Sequence, residues 1–287
     1  MFEGFKRQMV DVGEARINTL TAGKGAPLLL VHGYPQTHVM WHKIAPLLAE
    51  GFSVVCVDMR GYGDSSVPAT TEDHFSYSKR AVANDLVKVM EKLGHRKFMI
   101  AGHDRGGRVT HRLCLDHAER VTRAAVLDIV PTPHMFASVN RVSALGGWHW
   151  YFLAQPADLP ERLIGGDPAY YLDRLLSAAP EAFTPQARAE YTRCFIQAER
   201  IHASCEDYRA AAYIDLEHHR ADKGRKLACP LLVIWGARSG VGRARDPVKV
   251  WKEWADDVVG MSLPCGHFVA EEAPRETFEA LRAFFAS

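Results

Sequence analysis

Several things are missing from this sequence, and each absence removes a class of function. No apolar run in the 287 residues approaches the ~18 needed to cross a bilayer, so a membrane span is not expected. Net charge is almost absent: 35 Lys and Arg against 34 Asp and Glu leave +1, and no basic stripe with interleaved aromatics appears. Without such a field neither nucleic acid nor an anionic membrane surface is expected as a partner. There is no Gly-rich phosphate loop or dinucleotide fingerprint. The Glu217-His218-His219 cluster is too compact for a metal site and lacks a third ligand at a usual spacing. The expectation is therefore no cofactor, no metal and a small-molecule substrate.

The first ten residues carry Glu3, Lys6 and Arg7 and no apolar stretch, which does not read as a secretory signal. Six cysteines (Cys56, Cys114, Cys194, Cys205, Cys229 and Cys265) are scattered, several inside apolar runs where a thiol behaves as a small hydrophobe. A reducing cytoplasm is the expected location.

What is present is the composition of an ordinary globular protein, 47% hydrophobic and 24% charged. The length suits one large domain or a core with an insertion. Short apolar runs rich in β-branched residues (Leu28 to Val31, Val54 to Val57, Phe98 to Ala101, Ala125 to Ile129, Leu231 to Trp235) alternate with helical patterns. That alternation predicts an α/β fold with a mostly parallel sheet flanked by helices. Between Ser78 and Leu93 the apolar positions recur at helical spacing, with Gly94 placed for a left-handed stop. Glu271 to Ser287 reads as a second amphipathic helix. After Val130 the pattern changes: Pro131 and Pro133 interrupt it, aromatics and helical spacing follow, and strand character returns only at Leu231. This predicts a helical cap over 131–222 inserted into a core formed by 1–130 and 223–287.

The chemistry centres on Ala101-Gly102-His103-Asp104-Arg105-Gly106-Gly107, between a strand and a helix. It has the form of a nucleophile elbow with Asp where Ser usually stands, Gly102 and Gly106 permitting the sharp turn. An Asp at that position also suits a plain helix cap. His32-Gly33-Tyr34-Pro35 follows an early strand, where the second oxyanion donor of such a site belongs, beside the Arg105 amide. Cys265-Gly266-His267-Phe268 precedes the last helix, where the base belongs. The loop after Trp235 has no carboxylate before Asp246, so Asp128, closing the strand Ala125 to Ile129, is the better residue to orient His267.

Taken together these motifs resemble the α/β-hydrolase superfamily, and within it the fluoroacetate dehalogenases. The resemblance runs over nearly the whole chain: the turn at 32–35, Gly102 to Arg108 with both arginines, Leu127-Asp128-Ile129, His149-Trp150, Cys205 to Ala210 leading to Tyr213, and Gly266-His267-Phe268. It implies hydrolytic cleavage of the carbon–halogen bond of short 2-haloacids through an aspartyl ester, without a cofactor, by a possible homodimer. Asp104, His267 and Asp128 would be catalytic, Arg105 and Arg108 would bind the substrate carboxylate, and His149, Trp150 and Tyr213 would bind halide. Tyr34 departs from the His-Gly-Phe-Pro form of the family and brings a hydroxyl near the pocket. The arginine pair has a physical reason. A carboxylate attacking a carbon next to another carboxylate meets repulsion of roughly 4 kcal/mol at ~4 Å and an effective dielectric of ~20, about a thousandfold in rate. Three donors to departing halide, at roughly 1.5–3 kcal/mol each, supply about 4–9 kcal/mol. An epoxide hydrolase of the same fold, or a receptor that keeps the shell without turnover, are the alternatives.

Overall fold

The computed structural model describes residues 1–244 and 246–287. One sheet of eight strands runs through it: β1 (Lys6–Asp11), β2 (Arg16–Ala22), β3 (Ala26–Val31), β4 (Phe52–Val57), β5 (Phe98–His103), β6 (Val121–Leu127), β7 (Leu231–Gly236) and β8 (Val258–Leu263). Their order is β1-β2-β4-β3-β5-β6-β7-β8. β1 pairs antiparallel with β2 and β2 with β4, while the other pairs are parallel. The architecture is thus the expected α/β sheet, mostly parallel and flanked by helices. Strands β3 to β7 are the five read from the sequence, and their centres are apolar and buried because helices cover both faces.

Three strands escape the sequence pattern because none of them forms a continuous apolar run. β1 and β8 are the two edges of the sheet and leave most of their side chains exposed, so neither forms an apolar run. β2 mixes Arg16, Asn18 and Thr21 with its apolar residues. The helix expected from Ser78 spans Lys79–Lys92, with the Ser78 hydroxyl accepting from the Ala81 N–H at 3.1 Å and Gly94 at φ +86° beyond its end. The last helix is divided into Val269–Glu272 and Pro274–Ala286, because Pro274 cannot donate the hydrogen bond that would join them. Between β6 and β7 the described residues form only helices, from Thr132 to Ala221.

The parallel strands all deliver their C-terminal ends to one edge, where such folds place ligands. β5 ends at His103, β6 at Leu127 and β7 at Gly236, side by side. The helix Arg105–Asp116 starts directly from the end of β5 and is packed so closely that a Cβ on Gly106 would overlap the carbonyl oxygens of His32 and Val31. Gly106→Ala should therefore destabilise by about 1–3 kcal/mol, as overpacking does, at roughly 2–4 °C in Tm per kcal/mol for a chain of this size. Thermal melting checks this; an unchanged Tm would mean that the helix has room to move off β3.

Candidate active site

Asp104 closes β5 in a conformation that side chains rarely adopt, φ 45° and ψ −115°. Its backbone N–H donates to Leu127 O at 3.2 Å, tying the turn to the neighbouring strand. The carboxylate does not cap the following helix; Oδ2 instead accepts the Tyr34 N–H at 3.0 Å. That approach depends on Gly33, where a Cβ would stand 2.6 Å from Asp104 Cβ. Burial alone would raise the Asp104 pKa, but the positive side chains around it, His267 and the guanidiniums of Arg105 and Arg108 among them, hold it below the usual carboxylate value. The side chain is a buried anion at neutral pH, with Oδ2 engaged and Oδ1 open.

Asp128 also sits at positive φ, 52°, at the end of β6, with its N–H bonded to Ile234 O at 2.7 Å. Its Oδ1 accepts the Gly236 N–H at 3.0 Å and its Oδ2 lies 2.6 Å from His267 Nδ1. A carboxylate can only accept, so Nδ1 carries the proton and His267 Nε2 is left as the basic atom. Two further residues hold this loop, and sequence reasoning missed them. Glu272 accepts the N–H groups on either side of the histidine, from Gly266 at 2.6 Å and Phe268 at 2.9 Å. His103 Nε2 donates to the His267 carbonyl at 2.8 Å. Asp246 lies elsewhere: it caps the helix Pro247–Trp251 by accepting the Lys249 N–H at 3.1 Å.

Arg105 and Arg108 lie one turn apart on the helix after the elbow and are buried. Arg105 is forked onto Asp207, with Nε to Oδ2 at 2.9 Å and Nη2 to Oδ1 at 2.8 Å and to the Asp207 carbonyl at 2.7 Å. Its Nη1 has no partner. Arg108 Nη1 donates to Val130 O at 2.9 Å and Thr132 Oγ1 at 3.2 Å, and its Nε has no partner. Around them stand aromatic faces: Arg105 lies 4.1 Å from the Tyr208 ring and 5.0 Å from Trp150, and Arg108 4.4 Å from Trp150.

His149 and Trp150, from the helix Trp148–Leu153, both contact Tyr208, with ring centroids 5.8 and 5.4 Å away. Burial pushes the His149 pKa down to about 4, so its ring is a neutral donor. Tyr34 lies against the same group, stacked on His149 at 6.2 Å and edge-on to Tyr208 at 5.2 Å. Its buried hydroxyl, the departure noted in the sequence, has no hydrogen-bond partner.

Tyr213 does not join them, and its expected place there is corrected. It follows the helix Ala198–Ala212, is 58% exposed, and stacks on His74 at the rim of a separate surface cavity of about 660 Å³. Tyr208 occupies the site instead: it is buried, and its hydroxyl has no partner. Tyr208 lies within the helix, whereas Tyr213 follows its end at φ −120° and ψ −89°, so the two side chains leave the chain in different directions. The signal was available, because Tyr208 lies within the Cys205 to Ala210 block that carried the resemblance.

The hydrogen bond to Asp128 makes a measurable difference at His267. Burial alone would lower the imidazole pKa, but the hydrogen bond and charge of Asp128, with Asp104 adding to them, raise it above the ordinary value. In a pH titration followed by imidazole NMR, His267 should titrate above 6.5, and Asp128→Asn should bring the midpoint down below that of the unaltered protein. An unchanged midpoint would show that the pair is not coupled.

The alpha/beta hydrolase fold model matches residues 26–274. A fluoroacetate dehalogenase from a Burkholderia species is 44% identical over 290 residues, covering 100% of this chain and 95% of that protein. A soluble epoxide hydrolase from Corynebacterium sp. strain C12 is 34% identical over 94% of each. Among solved structures ALR0039, an α/β-hydrolase-fold protein from Nostoc sp PCC 7120, superposes with a TM-score of 0.98 at 56% identity over 99% of both chains. The resemblance read from scattered motifs thus extends along the whole sequence, and this chain belongs to the α/β-hydrolase family.

Proposed function

We propose that the protein is a hydrolytic dehalogenase of short 2-haloacids, with 131–222 serving as a cap over the core. The observation that carries this reading is the pair of buried guanidiniums beside a buried carboxylate, each retaining an unpartnered nitrogen, Arg105 Nη1 and Arg108 Nε. Buried N–H groups without acceptors are costly, so a site that keeps two of them is built for an anion. A substrate carboxylate satisfies both and brings the adjacent carbon to Asp104.

The reaction then proceeds in two displacements. Asp104 Oδ1 attacks the halogen-bearing carbon, a carbon–oxygen bond forms, and halide leaves with the bonding electrons. Trp150, Tyr208 and neutral His149 are the hydrogen-bond donors grouped beside the arginines and meet the charge that develops on the halogen. In the second step His267 Nε2 takes a proton from water, and the oxygen adds to the Asp104 carboxyl carbon. Charge on Oδ2 is received by the Tyr34 N–H that already holds it, with the Arg105 N–H at the helix start as the second donor. Collapse breaks the bond between the Asp104 carboxyl carbon and the ester oxygen, the imidazolium gives its proton to the departing alkoxide, and a 2-hydroxyacid, glycolate from fluoroacetate, is released; the remaining carboxyl proton passes to solvent and restores the Asp104 carboxylate. The imidazolium formed on the way is stabilised by Asp128.

The epoxide hydrolase reading draws on the Corynebacterium relative and on the buried, unpartnered Tyr208 hydroxyl, a donor available to an epoxide oxygen although burial raises its pKa well above the ordinary value. A neutral epoxide, however, leaves Arg108 without an ion-pair partner and Arg105 Nη1 and Arg108 Nε without a charged acceptor. Other parts of the setting agree with a cytoplasmic enzyme: all six cysteines are unpaired and buried, and among the described residues no helix is long and apolar enough to cross a membrane. The inserted helices carry exposed Val142, Leu145, Leu163 and Tyr170, apolar surface that a second copy of the chain in a homodimer would cover.

Ion-selective measurement of fluoride and chloride released from fluoroacetate and chloroacetate tests the proposal against diol formation from a simple epoxide. His267→Asn should release about one equivalent of halide per site and stop, leaving Asp104 esterified, whereas Asp104→Ala should release none. Mass spectrometry of the peptide around Asp104 decides it, and an unmodified aspartate after one equivalent would favour direct attack by water. The tyrosines separate the halide assignments: Tyr208→Phe should slow defluorination at least tenfold, while Tyr213→Phe should stay within twofold of the unaltered rate. The reverse pattern would return the halide role to Tyr213.

A further inference from the structure

Arg105 and Arg108 look equivalent in sequence, but their surroundings differ. Arg105 gives Nε and Nη2 to the Asp207 carboxylate and carbonyl, leaving Nη1 alone open. Asp207 is itself buried and held on three sides: by Arg105, by a salt bridge from Lys79, and by the Tyr62 hydroxyl, which donates to Oδ2 at 2.7 Å. Lys79 has a second carboxylate, Asp215, at 3.6 Å. Arg108 has only neutral acceptors, the Val130 carbonyl and the Thr132 hydroxyl, and is salt-bridged to none of the described carboxylates.

Resting on the haloacid reading above, we infer that Asp207 is a positioning residue that divides the work of the two arginines. Asp207 takes up the charge of Arg105 and clamps it so that one oriented N–H faces the substrate, while Arg108 supplies the uncompensated positive charge that draws the carboxylate in. A guanidinium already forked onto a carboxylate has little net charge to offer a second anion, but its geometry is fixed. A guanidinium on neutral acceptors keeps its full charge in a low-dielectric setting, where attraction is strongest.

The protonation tendencies agree with this division. Burial disfavours charge at all three residues, yet Arg105 is raised above its ordinary value by Asp207, and Asp207 is held well below its own by Arg105 and Lys79. Arg108, buried and facing the charge of Arg105 with no ion-pair partner, is pushed down to about 10 and remains charged at neutral pH. The clamp also crosses from the inserted helix Ala198–Ala212 to the core, so the substrate-facing N–H of Arg105 is aligned only when that helix is seated.

The test uses the full chain. Halide release by the unaltered protein reports on the dehalogenase reading by itself. Asp207→Asn keeps the shape and an acceptor but removes the charge, and Lys79 retains Asp215. For chloroacetate its kcat should fall at least tenfold while KM stays level or falls, because Arg105 loses its anchor and gains free charge. Asp207→Glu, which keeps the charge, should recover part of the kcat. A kcat within twofold of the unaltered enzyme, or a loss carried by a tenfold rise in KM, would overturn the inference.

A second measurement does not depend on the folding of Asp207→Asn. In an Asp104→Asn background, calorimetric affinity for chloroacetate should drop at least tenfold further with Arg108→Gln than with Arg105→Gln. Equal losses, or a larger loss from Arg105→Gln, would overturn the division. Binding with this asymmetry but without halide release by the unaltered chain would remove the reaction and leave the division standing. Halide release with equal losses would do the opposite.

Discussion

A carboxylate buried away from water, as Asp104 is, needs compensation to stay ionised. Inside this protein it persists because buried cations stand next to it. Arg105 and Arg108 lower the energy of ionised Asp104, whose burial would otherwise favour the protonated form. On the proposed reading, the same two groups would offset the repulsion that a haloacid meets on approach. Neither arginine is free to leave, since one is forked onto Asp207 and the other is fixed by the backbone at Val130 and by Thr132. Burial strengthens each of these interactions and raises the penalty for any group left unmatched. Two guanidinium nitrogens, Arg105 Nη1 and Arg108 Nε, nevertheless have no partner, and these are the atoms on which the proposed binding of an anion rests.

The backbone supplies the rest through the parallel sheet. Adjacent strand ends place Asp104, Asp128 and Gly236 in a row, and hydrogen bonds between neighbouring strand ends hold the row in register. Asp104 and Asp128 both adopt positive φ, a strained conformation that those hydrogen bonds sustain. His267 comes from the opposite end of the sequence and is held by Glu272 on its own loop and by His103, the residue before the nucleophile. His267 and Asp104 are therefore connected through a buried imidazole whose pKa is lowered to about 4, chiefly by burial, so that it acts as a fixed neutral strut.

Much of the candidate site's geometry was readable in the residues because it rests on local backbone rules. Gly102 and Gly106 announce the elbow, Gly33 the close approach of the oxyanion turn, and the missing carboxylate after Trp235 directs attention to Asp128. Buried parallel strands are legible for a similar reason, since coverage on both faces leaves continuous apolar runs. The edge strands β1 and β8 stayed hidden because their exposed positions carry no such pattern. Tyr213 was misplaced because two tyrosines five positions apart differ only in where their side chains end up, Tyr208 buried within the helix Ala198–Ala212 and Tyr213 exposed beyond its end, and that depends on how the helix is seated.

The sequence by itself determined the α/β class, the sharp strand-to-helix turn at Asp104, and the presence of two arginines beside that turn. Each of these follows from residue type at a short, fixed distance along the chain. Tertiary structure alone decided that Tyr208 and not Tyr213 faces the arginines, that Glu272 and His103 hold the base, and that Asp207 and Lys79 meet at Arg105. Those contacts join positions up to 164 residues apart. Local propensity does not specify such pairs; they are selected by the requirement that charges removed from water find partners when the inserted helices close over the sheet.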